Sequence, residues 1–194
     1  MFIRHGETAF NASGRLQGQR DIPLNARGRE QASAVGRYLR DAYGAEIERL
    51  DAAGAFWASP LERTRETIEL ARAAMGLAPQ AYRLDARLKE LSFGEWEGMS
   101  WREVARDDSA GLKARKADKW GFAPPGGESY AMLAQRVQTW LRERDGDSFV
   151  AAHGGVGRAL MVLLAGVADD VADSADIWQG RALIFDKGAF TWVG

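Results

Sequence analysis

Phe149-Val150-Ala151-Ala152-His153-Gly154-Gly155 is four apolar residues in a row, then a histidine, then two glycines. A strand with one wet face alternates apolar and polar residues. An unbroken apolar run therefore reads as a strand covered on both faces, as in a parallel sheet between helices. Val156–Leu164, strongly apolar, supplies a covering helix directly afterwards. The same strand-then-helix order recurs upstream. Phe2–Arg4 is a short strand running into His5-Gly6, and Ala55-Phe56-Trp57-Ala58 is a strand ending at Ser59-Pro60-Leu61-Glu62. In the latter, Ser59 is expected to cap a helix, with Pro60 at its first position and Glu62 closing a capping box.

Further elements fit between these. Asn25 is placed to cap a helix with Ala32, Val35, Leu39 and Tyr43 at helical spacing. Leu61, Ile68, Ala71 and Met75 mark a second helix, which Gly76 stops. Ala81–Leu84 is a further strand, and Ser100-Trp101-Arg102-Glu103 opens a capping-box helix. Ser129 caps a helix whose apolar side holds Met132, Leu133, Val137, Trp140 and Leu141. Pro124-Pro125-Gly126-Gly127 continues neither helix nor strand and reads as a loop. Leu183–Phe185 and Phe190–Val193 flank Asp186-Lys187-Gly188 as a hairpin or tight connection. The alternation predicts a three-layer α/β/α fold with a mostly parallel sheet, spanning residues 1–194 as a single domain.

Composition narrows the function classes. The chain has 194 residues, 26 Lys+Arg, 27 Asp+Glu and a formal charge of −1. A nucleic-acid binder usually carries a basic excess, so nucleic acid is not expected as a partner. The basic run Lys113, Arg115, Lys116 and Lys119 follows Arg106-Asp107-Asp108 and reads as a solvated helix face. No apolar run reaches the length of a bilayer span and the start shows no signal segment, so no membrane association is expected. Cysteine is absent, which removes disulfides, a thiolate nucleophile and thiolate metal ligands. It also fits a reducing, cytoplasmic location. Histidine occurs only twice, each time before a glycine.

In open parallel sheets, ligands bind beyond the carboxyl ends of the strands. Three polar motifs fall there: Arg4-His5-Gly6, Ser59 to Arg63, and His153-Gly154-Gly155. Arg63 lies near a helix N-terminus, where an anion is already favoured, and its guanidinium matches phosphate geometry. The glycines after His153 leave backbone N–H groups free to face an oxyanion. Glu90 opens the aromatic, Gly-rich segment Lys89–Gly98 and is a candidate proton donor, with Glu95 and Glu97 as rivals. Glu7 and Thr8 either face the site or order their loop. Trp96 and Trp101 read as core residues more than pocket walls.

The motifs together resemble the histidine phosphatase superfamily. They are Arg4-His5-Gly6-Glu7-Thr8, Asn11, Gly14–Gly18, Asp21–Asn25, Ser59–Thr67, Glu90–Gly98, Pro125–Ser129 with Arg136-Val137, and Ala152–Val156. The resemblance runs from residue 1 to about 165. Only three residues precede Arg4, fewer than the family's usual first strand, so that strand is expected to be frail.

The resemblance implies roles. His5 is the nucleophile that forms a phosphohistidine, one ring nitrogen offering its lone pair while the other donates to a backbone carbonyl. Arg4, Arg63 and His153 surround the non-bridging oxygens, and a cationic His153 would add to a local positive pocket. Asn11, Gln17 and Gly154 contact the substrate. Glu90 protonates the leaving oxygen and then activates water. No metal and no cofactor are implied, because the arginines supply the positive charge and the sequence lacks metal-ligand spacings such as His-x-His. The stretch from Met99 to Ala123, containing Lys113, Arg115 and Lys116, is short beside the lid of the family's mutases. The expected activity is a phosphomonoesterase acting on a small phosphorylated metabolite. A cofactor-dependent phosphoglycerate mutase is the second reading, and a phosphate binder without turnover the third.

Overall fold

The computed structural model describes residues 1–194. The elements follow in the order β1 (Phe2–Arg4), α1 (Ala9–Ala12), α2 (Ala26–Ala52), β2 (Phe56–Ala58), α3 (Glu62–Ala74), β3 (Arg83–Leu84), α4 (Trp101–Asp107), α5 (Ser109–Ala117), α6 (Tyr130–Arg142), β4 (Phe149–Ala152), α7 (Gly154–Ala165), α8 (Asp169–Ala172), β5 (Ala182–Asp186) and β6 (Ala189–Val193). Two 3-10 turns, Ala86–Leu88 and Gly94–Trp96, lie between β3 and α4. The six strands form one sheet in the order β3-β2-β4-β1-β5-β6. β3, β2, β4 and β1 are parallel, β5 returns antiparallel to β1, and β6 pairs antiparallel with β5. The β5–β6 connection is a tight hairpin turn, with Lys187 (φ 47°) and Gly188 (φ 79°) both left-handed.

Successive residues of a strand point to opposite faces. Ile3, Phe56, Ala58, Phe149 and Ala151 face one way and pack on Val35, Leu39, Ile47 and Leu50 of α2 and on Ile68 and Ala71 of α3. Phe2, Trp57, Val150 and Ala152 face the other way, onto Leu133, Val137 and Trp140 of α6 and Val156, Ala159 and Leu160 of α7. Both faces are dry, which is why Phe149–Ala152 carries no polar residue. β1 is short, but it is not an edge strand. It is bonded to β4 on one side and β5 on the other, with Phe2 and Ile3 buried on opposite faces.

Asn25, Ser100 and Ser129 cap their helices, Ser100 in a reciprocal box with Glu103. Ser59 does not cap. α3 begins later, at Glu62, with Leu61 at its N-cap position making no side-chain bond. The Glu62 N–H goes instead to Asp21 Oδ1 at 2.7 Å, from a distant loop. α2 continues past Tyr43 through a non-helical residue there (φ −137°, ψ 29°). Met132, expected on the buried side of its helix, is exposed. α4 buries only Val104 and α5 buries no side chain. This pair rests on Trp96, which stacks on Phe122 and donates Nε1 to Asp108 Oδ2 at 3.0 Å. No helix is long and apolar enough to cross a membrane.

α2 and α3 meet at Gly36. A Cβ there would fall on the Ala71 backbone, 2.9 Å from its Cα and closer still to its carbonyl oxygen. Backbone cannot yield as a side-chain tip can. Gly36→Ala is therefore expected to lower stability by about 1–3 kcal/mol. Gly44→Ala, with nothing within 4 Å of the added methyl, should be neutral or stabilising by up to about 1 kcal/mol. Urea denaturation of both variants checks the contrast.

Candidate active site

β1 and β4 are parallel neighbours, so their carboxyl ends deliver His5 and His153 to the same edge. The His5 N–H continues the ladder to Ala152 O at 2.9 Å. The imidazole centroids lie 5.2 Å apart, tilted by 60°. His5 faces a cavity of about 420 Å³ whose wall includes Arg4, Asn11, Gln17, Arg63, Glu90 and Gly154. His153 is set behind this wall, wholly buried beside His5.

His5 Nδ1 lies 2.7 Å from Gly6 O. A carbonyl only accepts, so Nδ1 carries the proton and Nε2 holds the lone pair. Burial pushes the His5 pKa well below its ordinary value, and Arg63 and Arg4 push it further. His153 is lowered in the same way, first by burial and then by Arg63, His5 and Arg4. Burial and the neighbouring guanidiniums thus hold both rings toward their neutral form. The cationic His153 expected from the sequence is not found, because two nearby guanidiniums already occupy the positive role. His153 Nε2 sits 2.8 Å from Ser59 Oγ, while its Nδ1 is buried with no partner. Ser59 Oγ also accepts from Leu61 N at 3.4 Å, but α3 starts at Glu62, beyond the position Ser59 could cap.

Arg63, fully buried, has its pKa lowered to about 10, burial being the main cause. It donates to Arg20 O and Gly18 O, each at 2.7 Å. The Gln17 amide satisfies both its neighbours with nitrogen 2.5 Å from Thr8 Oγ1 and oxygen 2.6 Å from Arg63 Nε and 2.9 Å from Nη1. Gln17 thus braces Arg63. The Thr8 hydroxyl passes the chain on to Asn11 Oδ1 at 3.1 Å, which Gln179 also contacts at 3.0 Å. Those bonds use the Asn11 oxygen and leave its Nδ2 for the cavity. Arg4 donates Nη1 to Ile177 O at 2.9 Å, and its Nε is buried without a partner.

Glu90 Oε1 accepts from Leu91 N (2.9 Å) and Gly155 N (3.0 Å), and Oε2 has only a longer contact of 3.3 Å with Gly155 N. The Gly155 N–H, expected to face an oxyanion, thus holds the carboxylate instead. A side chain at Gly155 would displace that carboxylate. The Glu90 backbone is clamped as well. Arg136 Nη2 and Gln19 Nε2 donate to Glu90 O at 3.0 and 3.1 Å, and Arg136 pairs with Glu128 at 3.0 Å. Of the rivals, Glu97 accepts from Gln19 N (2.9 Å) and Phe93 N (3.2 Å) to fix its loop, and Glu95 is exposed. Neither lines the cavity.

The outer wall departs from the sequence reading. The basic run splits: Lys113 and Lys116 are exposed, but Arg115 and Lys119 are half-buried and line the cavity. Trp96 is core, whereas Trp101 is wall. Arg158, Tyr130 and Asp173 line the cavity without having been anticipated. Arg158 stands four residues after Gly154, one helical turn on, and that spacing was the available signal.

Charging either histidine in the folded state is opposed, whereas in the unfolded chain each titrates near about 6.5. Just below that pH the unfolded chain binds more protons. Stability is therefore full above about pH 6.5 and falls below it, by at most about 1.4 kcal/mol per pH unit for each ring. Urea denaturation between about pH 7.5 and 5.5 tests this against a His5→Asn, His153→Asn double variant. The variant should lose less stability on acidification, and equal losses would contradict neutral buried rings.

The chain is 33% identical over 184 residues to glucosyl-3-phosphoglycerate phosphatase of Mycolicibacterium vanbaalenii, covering 88% of this chain and 75% of that protein. It is 32% identical over 202 residues to the 2,3-bisphosphoglycerate-dependent phosphoglycerate mutase of Methylobacterium radiotolerans, covering 100% of this chain and 91% of that protein. The crystal structure of the α-ribazole phosphatase from Shigella flexneri superposes with a TM-score of 0.78 at 26% identity, covering 98% and 92% of the two chains. The family model for the histidine phosphatase superfamily, branch 1, matches residues 1–183. Through that match and these relatives, the chain with its paired buried histidines belongs to the histidine phosphatase superfamily.

Proposed function

We propose that the protein is a phosphomonoesterase that works through a phosphohistidine on His5 and releases inorganic phosphate from a small phosphorylated metabolite. The observation that carries this reading is the His5 ring itself. It is neutral, pinned through Nδ1 to Gly6 O at 2.7 Å, and faces a cavity lined by Arg4, Arg63 and Glu90. In the first step, Nε2 attacks phosphorus in line and the ester P–O bond breaks. Glu90, entering this step protonated, gives its proton to the departing oxygen. In the second step, Glu90 takes a proton from water, the water oxygen bonds to phosphorus, and the P–N bond breaks to restore His5.

Phosphoryl transfer asks chiefly for alignment and for charge facing the non-bridging oxygens. Arg4 Nε, buried and unpartnered, is a donor free for that purpose. His153 Nδ1 is another, provided Ser59 donates to its Nε2 and the ring proton stays on Nδ1. Most Arg63 donors are spent on Gly18, Arg20 and Gln17, so its main contribution is fixed charge. These cations fit catalysis without a metal, and no three His, Asp or Glu side chains gather as a metal site. Hydrolysis is favoured over transfer to a second substrate because α4 and α5 form a small wall with little buried surface.

Wild-type protein should hydrolyse an aryl phosphate at a rate unchanged by chelator. Quenching should trap acid-labile phosphate on His5, and trapping on His153 would reverse the assignment. Glu90→Gln should slow turnover by about 10²–10⁴-fold, more for poor leaving groups than for good ones. A larger loss in Glu97→Gln would move the acid role to that residue. With 3-phosphoglycerate and catalytic bisphosphoglycerate, free phosphate should accumulate. Isomerised product without phosphate release would establish a mutase instead.

A further inference from the structure

Between α8 and β5 the chain runs past the cavity as a narrow strip. Ala175, Ile177 and Gln179 are buried or half-buried there, while Asp176 and Trp178 between them are exposed. Each inward residue meets a different side chain of the cavity wall. Ala175 O accepts from Arg158 Nε at 3.0 Å, Ile177 O accepts from Arg4 Nη1 at 2.9 Å, and Gln179 Nε2 donates to Asn11 Oδ1 at 3.0 Å. The strip is anchored beside the end of β1, where Gln179 forms a parallel bridge with Arg4. Gln179 alone of the three acts through its side chain, and it does not itself line the cavity that His5 faces.

The atoms in the Gln179–Asn11 contact are fixed by a third group. Asn11 Oδ1 also takes the Thr8 N–H at 3.2 Å and the Thr8 hydroxyl at 3.1 Å. A backbone N–H only donates, so the Asn11 atom it meets is the amide oxygen. The Gln179 atom facing that oxygen is therefore its nitrogen. With the oxygen engaged three times, Nδ2 is the atom that Asn11 can offer the cavity. The tie matters because α1, the four-residue helix carrying Asn11, buries no side chain. Thr8 caps that same helix and moves with it, so the Gln179 bond is the only one the Asn11 side chain makes outside its own turn.

We propose that Gln179 is a positioning residue for phosphoryl binding. It holds the Asn11 oxygen away from the bound group, so that the Nδ2 donor is what meets a non-bridging oxygen. The opposite orientation would set an acceptor against an anion, so one hydrogen bond decides whether this amide attracts or repels. The role rests on the phosphatase reading above and deepens it.

The test titrates inorganic phosphate into nitrogen-labelled protein, followed by NMR. The Asn11 side-chain amide signal, identified by its loss in Asn11→Ala, should shift with phosphate in wild type. Gln179→Met keeps the volume and removes the donor, and should raise the phosphate Kd by roughly 3- to 10-fold, the scale of one neutral hydrogen bond. Gln179→Glu sets a carboxylate against the Asn11 oxygen and should raise it further, with the amide shift largely lost. In an Asn11→Ala background, Gln179→Met should change Kd by less than about 2-fold, since its partner is gone. In aryl phosphate turnover, Gln179→Met should raise KM more than it lowers kcat, because the amide holds the phosphoryl group before and during transfer. An unaltered phosphate Kd in both Gln179 variants, or an undiminished Gln179→Met effect in the Asn11→Ala background, would overturn the role. Wild-type protein that shows these dependences in phosphate binding yet hydrolyses no ester would leave the role standing and reject the phosphatase reading instead.

Discussion

Two imidazoles kept uncharged beside two buried guanidiniums are the constraint around which the molecule is arranged. A protonated ring there would add charge to a site already holding Arg4 and Arg63, in a place stripped of water. The structure therefore supplies acceptors and donors suited to neutral rings, a backbone carbonyl for His5 and a hydroxyl for His153. The parallel pairing of β1 with β4 is what brings the rings within 5.2 Å. The same neutrality makes this site a place where acid weakens the fold.

Glu90 is tied to this arrangement from two directions. Its carboxylate rests on the Gly155 N–H, two residues beyond His153. Its carbonyl is held by Arg136, whose partner is Glu128. The Pro125–Ser129 loop and the α6 arginine thus act at a distance from the cavity, by fixing the register of the loop that carries the carboxylate. Gln17 and Thr8 perform the equivalent task for Arg63 and Asn11. Much of the polar sequence near the site serves to aim other side chains.

The sheet and its flanking helices were legible because their signals are local. Phe149–Ala152 is apolar at every position, and Asn25, Ser100 and Ser129 cap as their sequence contexts suggest. The convergence of Arg4, His5, Arg63 and His153 on one sheet edge followed from strand direction, whereas Glu90 was one of three carboxylates in a Gly-rich segment. What could not be read depended on distant partners. Ser59 looks like a cap, but α3 starts only at Glu62, where Asp21 from a distant loop accepts the N–H, and the Ser59 hydroxyl meets His153 from β4. Arg115 and Lys119 looked solvated because their own segment is mixed in charge. Only the packing of that segment over the cavity separates them from Lys113 and Lys116. The orientation of Gln17 toward Arg63, and the inward turn of Arg158, likewise belong to tertiary structure.

The α4–α5 wall buries one side chain in the first helix and none in the second. A segment with so little apolar area removed from water can detach at a small fraction of the free energy needed to unfold the sheet. The histidines, Arg4 and Glu90 are anchored in the rigid part, while Arg115 belongs to the loosely held part. The two sides of one cavity are thereby carried on elements of unequal cohesion, a firmly packed floor and a thinly anchored rim.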